Sequence, residues 1–279
     1  MTAILDALID LANRTERPIS EVIRHHFLEA VLRRMTVLDS APELVLRGSL
    51  LTRIWVSPFP RAASDLDFLG TFPHDIAGTT QRVRTVLDVL QNDGVRFDVE
   101  RTTSRGIWQD TAFPGVRLAI WADVFGEPMS TTVDVGFGDP LVPPATRIDY
   151  PLSVGGTTPV WVTHPHTMMA WKLHGLVEWG PRRWRPKDLL DLWLVAQTFD
   201  HDDESLRTAI VAAFRSRQYH PDDARRVLQD AERWQNRAAL ARWEEFRQKT
   251  PFAPIPESPA TLAAEVGIIM QSTLEFLSP

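Results

Sequence analysis

The chain contains no cysteine, which excludes disulfide bonds and any metal centre built on thiolates. No apolar run approaches the length of a membrane-spanning helix. The first residues, Met1-Thr2-Ala3-Ile4-Leu5-Asp6, lack the basic start and apolar core of a signal peptide. A soluble, cytoplasmic protein is the expectation. Positive charge is also scarce: 30 Lys and Arg against 36 Asp and Glu leave a net charge of −6. That balance argues against a surface that binds nucleic acid over its whole extent. The basic charge is densest in Arg182-Arg183-Trp184-Arg185-Pro186-Lys187. This set could grip phosphates and stack a base, or form a solvated loop ahead of a helix.

At 279 residues and 44% hydrophobic content, one large or two modest domains can each bury a core. Apolar residues fall at helical spacing between Thr2 and Met35, and a further helix is predicted from Thr79 to Gln91. Leu44 to Arg47, Val95 to Glu100, Val116 to Val124 and Ser130 to Phe137 read as strands, the last two joined as a hairpin through Gly126-Glu127-Pro128. Pro140, Pro143, Pro144 and Pro151 then mark a domain boundary, placing one domain at 1–150 and a mainly helical one at 151–279. After a short strand at Pro159 to Val162, helices are expected over His166 to Glu178, Pro186 to Gln197, Ser205 to Ser216, Pro221 to Arg247 with a break, and Pro259 to Leu277. The fold class is α/β (α+β), a mixed sheet flanked by helices and followed by a helical domain. Ten tryptophans, five of them between Trp161 and Trp193, either fill that helical core or stack on bases.

Chemistry concentrates in two runs, Leu44-Val45-Leu46-Arg47-Gly48-Ser49 and Ser64-Asp65-Leu66-Asp67-Phe68. A glycine after a strand lets the backbone approach a phosphate, and Ser49 begins a helix whose first NH groups are open donors. Arg53 lies one turn on, available to an anion or simply solvated. Asp65 and Asp67, at i and i+2 of a strand, point to one face roughly 7 Å apart. Such a pair suits divalent cations that activate an attacking oxygen and stabilise a leaving pyrophosphate. Asp134 is a carboxylate among apolar strand residues, and burying it unpaired would be costly. It is the third expected metal ligand, with a structural ion pair as the alternative. His164 and His166 flank Pro165 without a matching third and fourth ligand, so zinc is not expected.

The order Gly-Ser, Asp-x-Asp, a strand ending Val-Gly-Phe-Gly-Asp, the helix Met168-Met169-Ala170-Trp171-Lys172-Leu173, and then Arg185-Pro186-Lys187-Asp188-Leu189-Leu190-Asp191-Leu192 resembles the AbiEii/AbiGii nucleotidyltransferase toxins. That family includes toxins of type IV toxin–antitoxin pairs and mycobacterial toxins that modify tRNA. The resemblance spans about Leu44 to Leu194. It implies a nucleotidyltransferase-like sheet and a helical domain that contributes Lys172 and Asp188 to the site. Lys172 would contact the triphosphate, as a mobile point charge can; the alternative is a lysine snorkelling from a core helix. Asp188 would act as general base or position the acceptor hydroxyl, with Asp191 on the same helix face; either acid could instead serve the helix start. The pattern departs from the family at Arg61-Ala62-Ala63-Ser64, where the expected hydroxyl is displaced by one position.

The expected reaction transfers NMP from an NTP held by Gly48, Ser49, Arg53 and Lys172, with two Mg²⁺ (or Mn²⁺) ions on Asp65, Asp67 and Asp134. The resemblance makes the acceptor a tRNA 3′ end, which would block translation and growth, and implies a cognate antitoxin. Rival readings are a protein or aminoglycoside acceptor, an inactive binding module of the same fold, and a phosphodiesterase or nuclease.

Overall fold

Alternating apolar and polar residues in the first 162 positions build one sheet, and amphipathic segments after it build a helical body. The computed structural model describes residues 2–36, 43–56, 61–200, 202–250 and 255–277. It divides into two units: Met1–Ile54 with Ala62–Gly138 and Thr146–Val162, and Trp55–Arg61 with Asp139–Ala145 and Thr163–Pro279.

The first unit runs α1 (Thr2–Thr15), α2 (Ile19–Met35), β1 (Leu44–Arg47), α3 (Ser49–Trp55), β2 (Leu66–Gly70), α4 (Ile76–Leu87), β3 (Val95–Phe97), β4 (Thr103–Ile107), β5 (Gly115–Val124), β6 (Glu127–Phe137), β7 (Thr146–Pro151) and β8 (Thr157–Val162). The sheet order is β3-β5-β6-β2-β1-β8-β7, with β4 beside β3 along the same edge of β5. β2 pairs parallel with β6 and antiparallel with β1, so the sheet is mixed. The β5–β6 hairpin turns at Phe125 and Gly126, both at positive φ (56° and 97°), as a tight two-residue hairpin turn requires. That turn lies just ahead of the expected Gly126-Glu127-Pro128 link. Asp75 caps α4 by accepting from the NH groups of Ala77 and Gly78.

One register row of the sheet is wholly apolar: Leu46, Phe68, Val135 and Val116, each at most 1% exposed. Burying such residues drives the folding of this layer, each contributing about 1.5–3 kcal/mol. α2 is polar as well as apolar on its buried surface, and its buried charges are matched. Glu29 pairs with His25 and accepts from the NH and hydroxyl of Ser153. Arg34 donates to Asp93.

The second unit contains α5 (Pro165–Glu178), α6 (Gly180–Arg183), α7 (Pro186–Thr198), α8 (Asp203–Ser216), α9 (Asp223–Gln229), α10 (Ala231–Gln235), α11 (Arg237–Gln248), α12 (Pro259–Ile269) and α13 (Gln271–Glu275). Its core joins Met168, Leu173, Leu189, Leu192 and Phe214 to a tryptophan cluster. Trp184 meets Trp234 edge-on at 5.0 Å and stacks with Trp243 at 6.2 Å between ring centres. The indole NH groups of Trp234 and Trp243 donate to the carbonyls of Val227 and Pro256. The indole of the basic run, Trp184, is therefore core and is not available to stack on a base. Among the described residues no helix is long and apolar enough to cross a membrane.

Candidate active site

The row next to the apolar one carries charge. Arg47 of β1 is the register partner of Asp67 of β2, Asp67 partners Asp134 of β6, and Asp134 partners Arg117 of β5. Register partners share a face, so these four side chains stand in line, positive, negative, negative, positive. Asp65 stands one residue ahead of β2, with the Ser64 hydroxyl donating to it at 3.2 Å. The strand therefore carries Asp67 itself, and Asp65 lies at its mouth.

Asp134 is buried, with its side chain 6% exposed. The Arg117 guanidinium grips both of its oxygens, at 2.7 and 2.5 Å. This bond, followed by the charges of Asp134, Asp65 and Asp67, holds Arg117 firmly protonated against the opposing effect of burial. Gly48 is at φ +77°, and a Cβ there would stand 2.4 Å from an Asp67 oxygen. Glycine is thus required twice over, for backbone conformation and for close approach to the carboxylate. Ser49 is buried at the start of α3, whose first turn closes on the Gly48 carbonyl through the NH of Thr52. Arg53 is half-buried on the same helix. Arg47 reaches past β2: a Cβ on Gly136 of β6 would stand 2.3 Å from its guanidinium.

The donor set of Asp65, Asp67 and Asp134 is all oxygen, as a hard divalent ion prefers. As the side chains stand, however, no three acidic or histidine groups among the described residues converge closely enough to hold a metal ion. Asp134 faces Arg117 instead.

The second unit holds a separate charge network. Lys172 Nζ donates to Asp188 and to Asp191, both at 2.8 Å. Arg61 makes a two-pronged bond to Asp191 at 2.8 and 2.6 Å, and Arg185 donates to Asp188 at 2.5 Å. Both carboxylates are almost fully buried. Burial alone would raise their pKa values, but the adjacent cations hold both below the ordinary carboxylate range. For Lys172, burial favours the neutral amine, yet Asp188 and Asp191 outweigh it and raise its pKa. Asp188 and Asp191 share one helix face, as their spacing predicts, and both meet Lys172 there. Arg61 and its bond to Asp191 were not legible, because the two residues are 130 apart in the chain.

Arg182 and Arg183 are exposed, and Arg185 lies 5.5 Å over the half-exposed ring of Trp179. The ring available beside the basic run is thus Trp179. His164 caps α5 by accepting from the His166 NH, and His166 bonds Ser205 at 2.9 Å.

The first unit thus sets a Gly-Ser turn beside carboxylates on neighbouring strands of a mixed sheet. Two solved structures share the fold. A candidate nucleotidyltransferase from H. pylori is 15% identical with a TM-score of 0.53, over 91% of this chain and 94% of its own. JHP933 from Helicobacter pylori is 14% identical with a TM-score of 0.51, over 91% and 93%. No curated protein sequence matches the chain. The family model of the AbiEii nucleotidyl transferase toxins of type IV toxin–antitoxin systems matches residues 30–264, and the chain belongs to that family.

Proposed function

We propose that the protein transfers NMP from an NTP to a hydroxyl at the 3′ end of tRNA, and that this modification blocks translation. The observation that carries the transferase reading is the register pair Asp67 and Asp134, set beside a turn whose glycine lets the backbone come within contact of Asp67. In the reaction, the acceptor oxygen attacks the α-phosphorus, the bond to the β-phosphate oxygen breaks, and pyrophosphate leaves. The hydroxyl proton passes to a base, which the family pattern gives to Asp188.

Asp65, Asp67 and, once it is released from Arg117, Asp134 would hold divalent ions, Mg²⁺ or Mn²⁺. Such ions lower the pKa of the attacking hydroxyl and neutralise the departing pyrophosphate. Gly48, Ser49 and Arg53 hold the triphosphate on this reading, and Lys172 assists with its point charge. The exposed Arg182, Arg183 and Arg185 with the Trp179 ring favour an RNA acceptor over a cationic drug, since they offer phosphate contacts and a stacking face. A cognate antitoxin is the implied protein partner, and the cytoplasm the place of action.

The test is incubation with Mg²⁺, each α-labelled NTP in turn, and total tRNA, beside Asp67→Asn and Lys172→Ala. Label in tRNA from the unmodified protein alone supports the reading and identifies the nucleotide. Label appearing only in protein or in an aminoglycoside would replace the acceptor.

A further inference from the structure

We propose that Arg117 is a resident counter-ion of Asp134 that a divalent cation displaces, and that its freed guanidinium then joins Arg47 in binding the triphosphate. The proposal rests on the transferase reading for the identity of the polyanion, and on the sheet for everything else. Two carboxylates in register on neighbouring strands stand about 4.8 Å apart, where like charges repel. The row resolves this repulsion by ending in an arginine on each side. Asp134 is fixed in a central strand with 6% of its side chain exposed, so it must be paired. Arg117, by contrast, is 36% exposed on a long side chain. Of the two partners, the arginine is the one with room to leave.

The charge count gives the consequence. The four groups of the row balance, and Asp65 at the mouth of β2 leaves one negative charge over. A divalent cation on the carboxylates turns that excess positive, and net positive charge beside a bound cation suits a triphosphate. Arg47 is already placed to serve it. Its guanidinium lies over Gly136, where any side chain would collide with it, so the absence of a Cβ on β6 keeps that lane open. One guanidinium thus guards the metal position when the site is empty and binds the nucleotide when it is full. The same exchange orders the binding events, metal first and triphosphate second.

The probe is Mn²⁺ alone, titrated into the full chain and followed by the electron paramagnetic resonance of the free ion. Arg117→Gln is expected to bind Mn²⁺ about tenfold more tightly than the unmodified protein, and adding Asp134→Asn to it should abolish the gain. Arg117→Gln should also melt at a lower temperature without Mn²⁺ and regain the difference with it. Arg117→Lys keeps the charge without the two-pronged grip and should fall between the two, which provides the comparison if the glutamine variant folds poorly. Binding of the four NTPs with Mg²⁺ should weaken in Arg117→Gln even as Mn²⁺ binding tightens. Mn²⁺ affinity in the Gln and Lys variants equal to or below that of the unmodified protein would overturn the proposal, as would a gain that survives Asp134→Asn. These titrations need no transfer, so a protein that passes them without labelling any acceptor refutes the transferase reading and leaves the metal exchange standing.

Discussion

Gly48 and Asp67 touch so closely that one methyl group separates a working turn from a displaced carboxylate. Gly48→Ala combines a left-handed backbone cost of about 1–2 kcal/mol with that collision. The expected outcome is a comparable loss of stability on thermal melting together with loss of NTP binding. Unchanged binding would show that Asp67 is not part of the nucleotide site. At this scale Asp134 was readable as a lone acid among the apolar residues of its strand, and Asp65 and Asp67 as an Asp-x-Asp pair, although only Asp67 lies within the strand. Arg117 was not, and the reason is specific. Centring the hairpin on Glu127 rather than on Phe125 and Gly126 shifts the partner of Asp134 from Arg117 to Ile120. A register error of three residues replaces a guanidinium with an apolar side chain.

Helices α5 and α7 are joined by their charges. Removing one partner of a buried ion pair typically costs about 3–5 kcal/mol, since it leaves an uncompensated charge. Lys172→Met leaves Asp188 with Arg185 and Asp191 with Arg61, so a loss of about 3 kcal/mol is expected in urea denaturation. A variant as stable as the parent would mean that the lysine does not hold these helices. The lowered pKa values of Asp188 and Asp191 make their contribution complete above their ordinary value of 3.8, and it fades as pH falls through their folded values.

His174 on α5 works in a higher window. It is buried between Phe214 and Tyr219, and burial, assisted by Arg217 and opposed by Asp139, lowers its pKa to about 4. Glu178 also faces it, at 3.8 Å. The unfolded chain therefore binds this proton more readily, and stability is lost as pH falls from about 6.5 towards 4. His174→Leu should flatten the denaturation midpoint between pH 7 and pH 5; an unaltered slope would assign the acid sensitivity elsewhere. The starts of α5 and α7 were legible because Pro165 and Pro186 stand at their first positions. The expected helix from Pro221 to Arg247 is three, because Asp230 and Asn236 each cap a new start with a side-chain oxygen.

Over the whole molecule, a net charge of −6 and an RNA acceptor are compatible only if cations gather locally. Arg182 and Arg183 meet that condition. Replacing both by Glu should weaken tRNA binding and reduce its dependence on salt while leaving Mn²⁺ affinity unchanged; equal affinity at low salt would place the RNA surface elsewhere. The mixed sheet and the helical body were legible in outline from periodicity and proline placement. Strands β4 and β7 were not, because Thr103–Ile107 and Thr146–Pro151 have little apolar alternation and depend on their neighbours for pairing. On the proposed reaction the α-phosphate, and no other, passes to the acceptor. The most direct measurement compares α-labelled with γ-labelled NTP in parallel reactions with tRNA. The expected result is α-label on the RNA 3′ end and γ-label released as pyrophosphate, both abolished in Asp67→Asn; γ-label on the acceptor, or label on neither, would rule that reaction out.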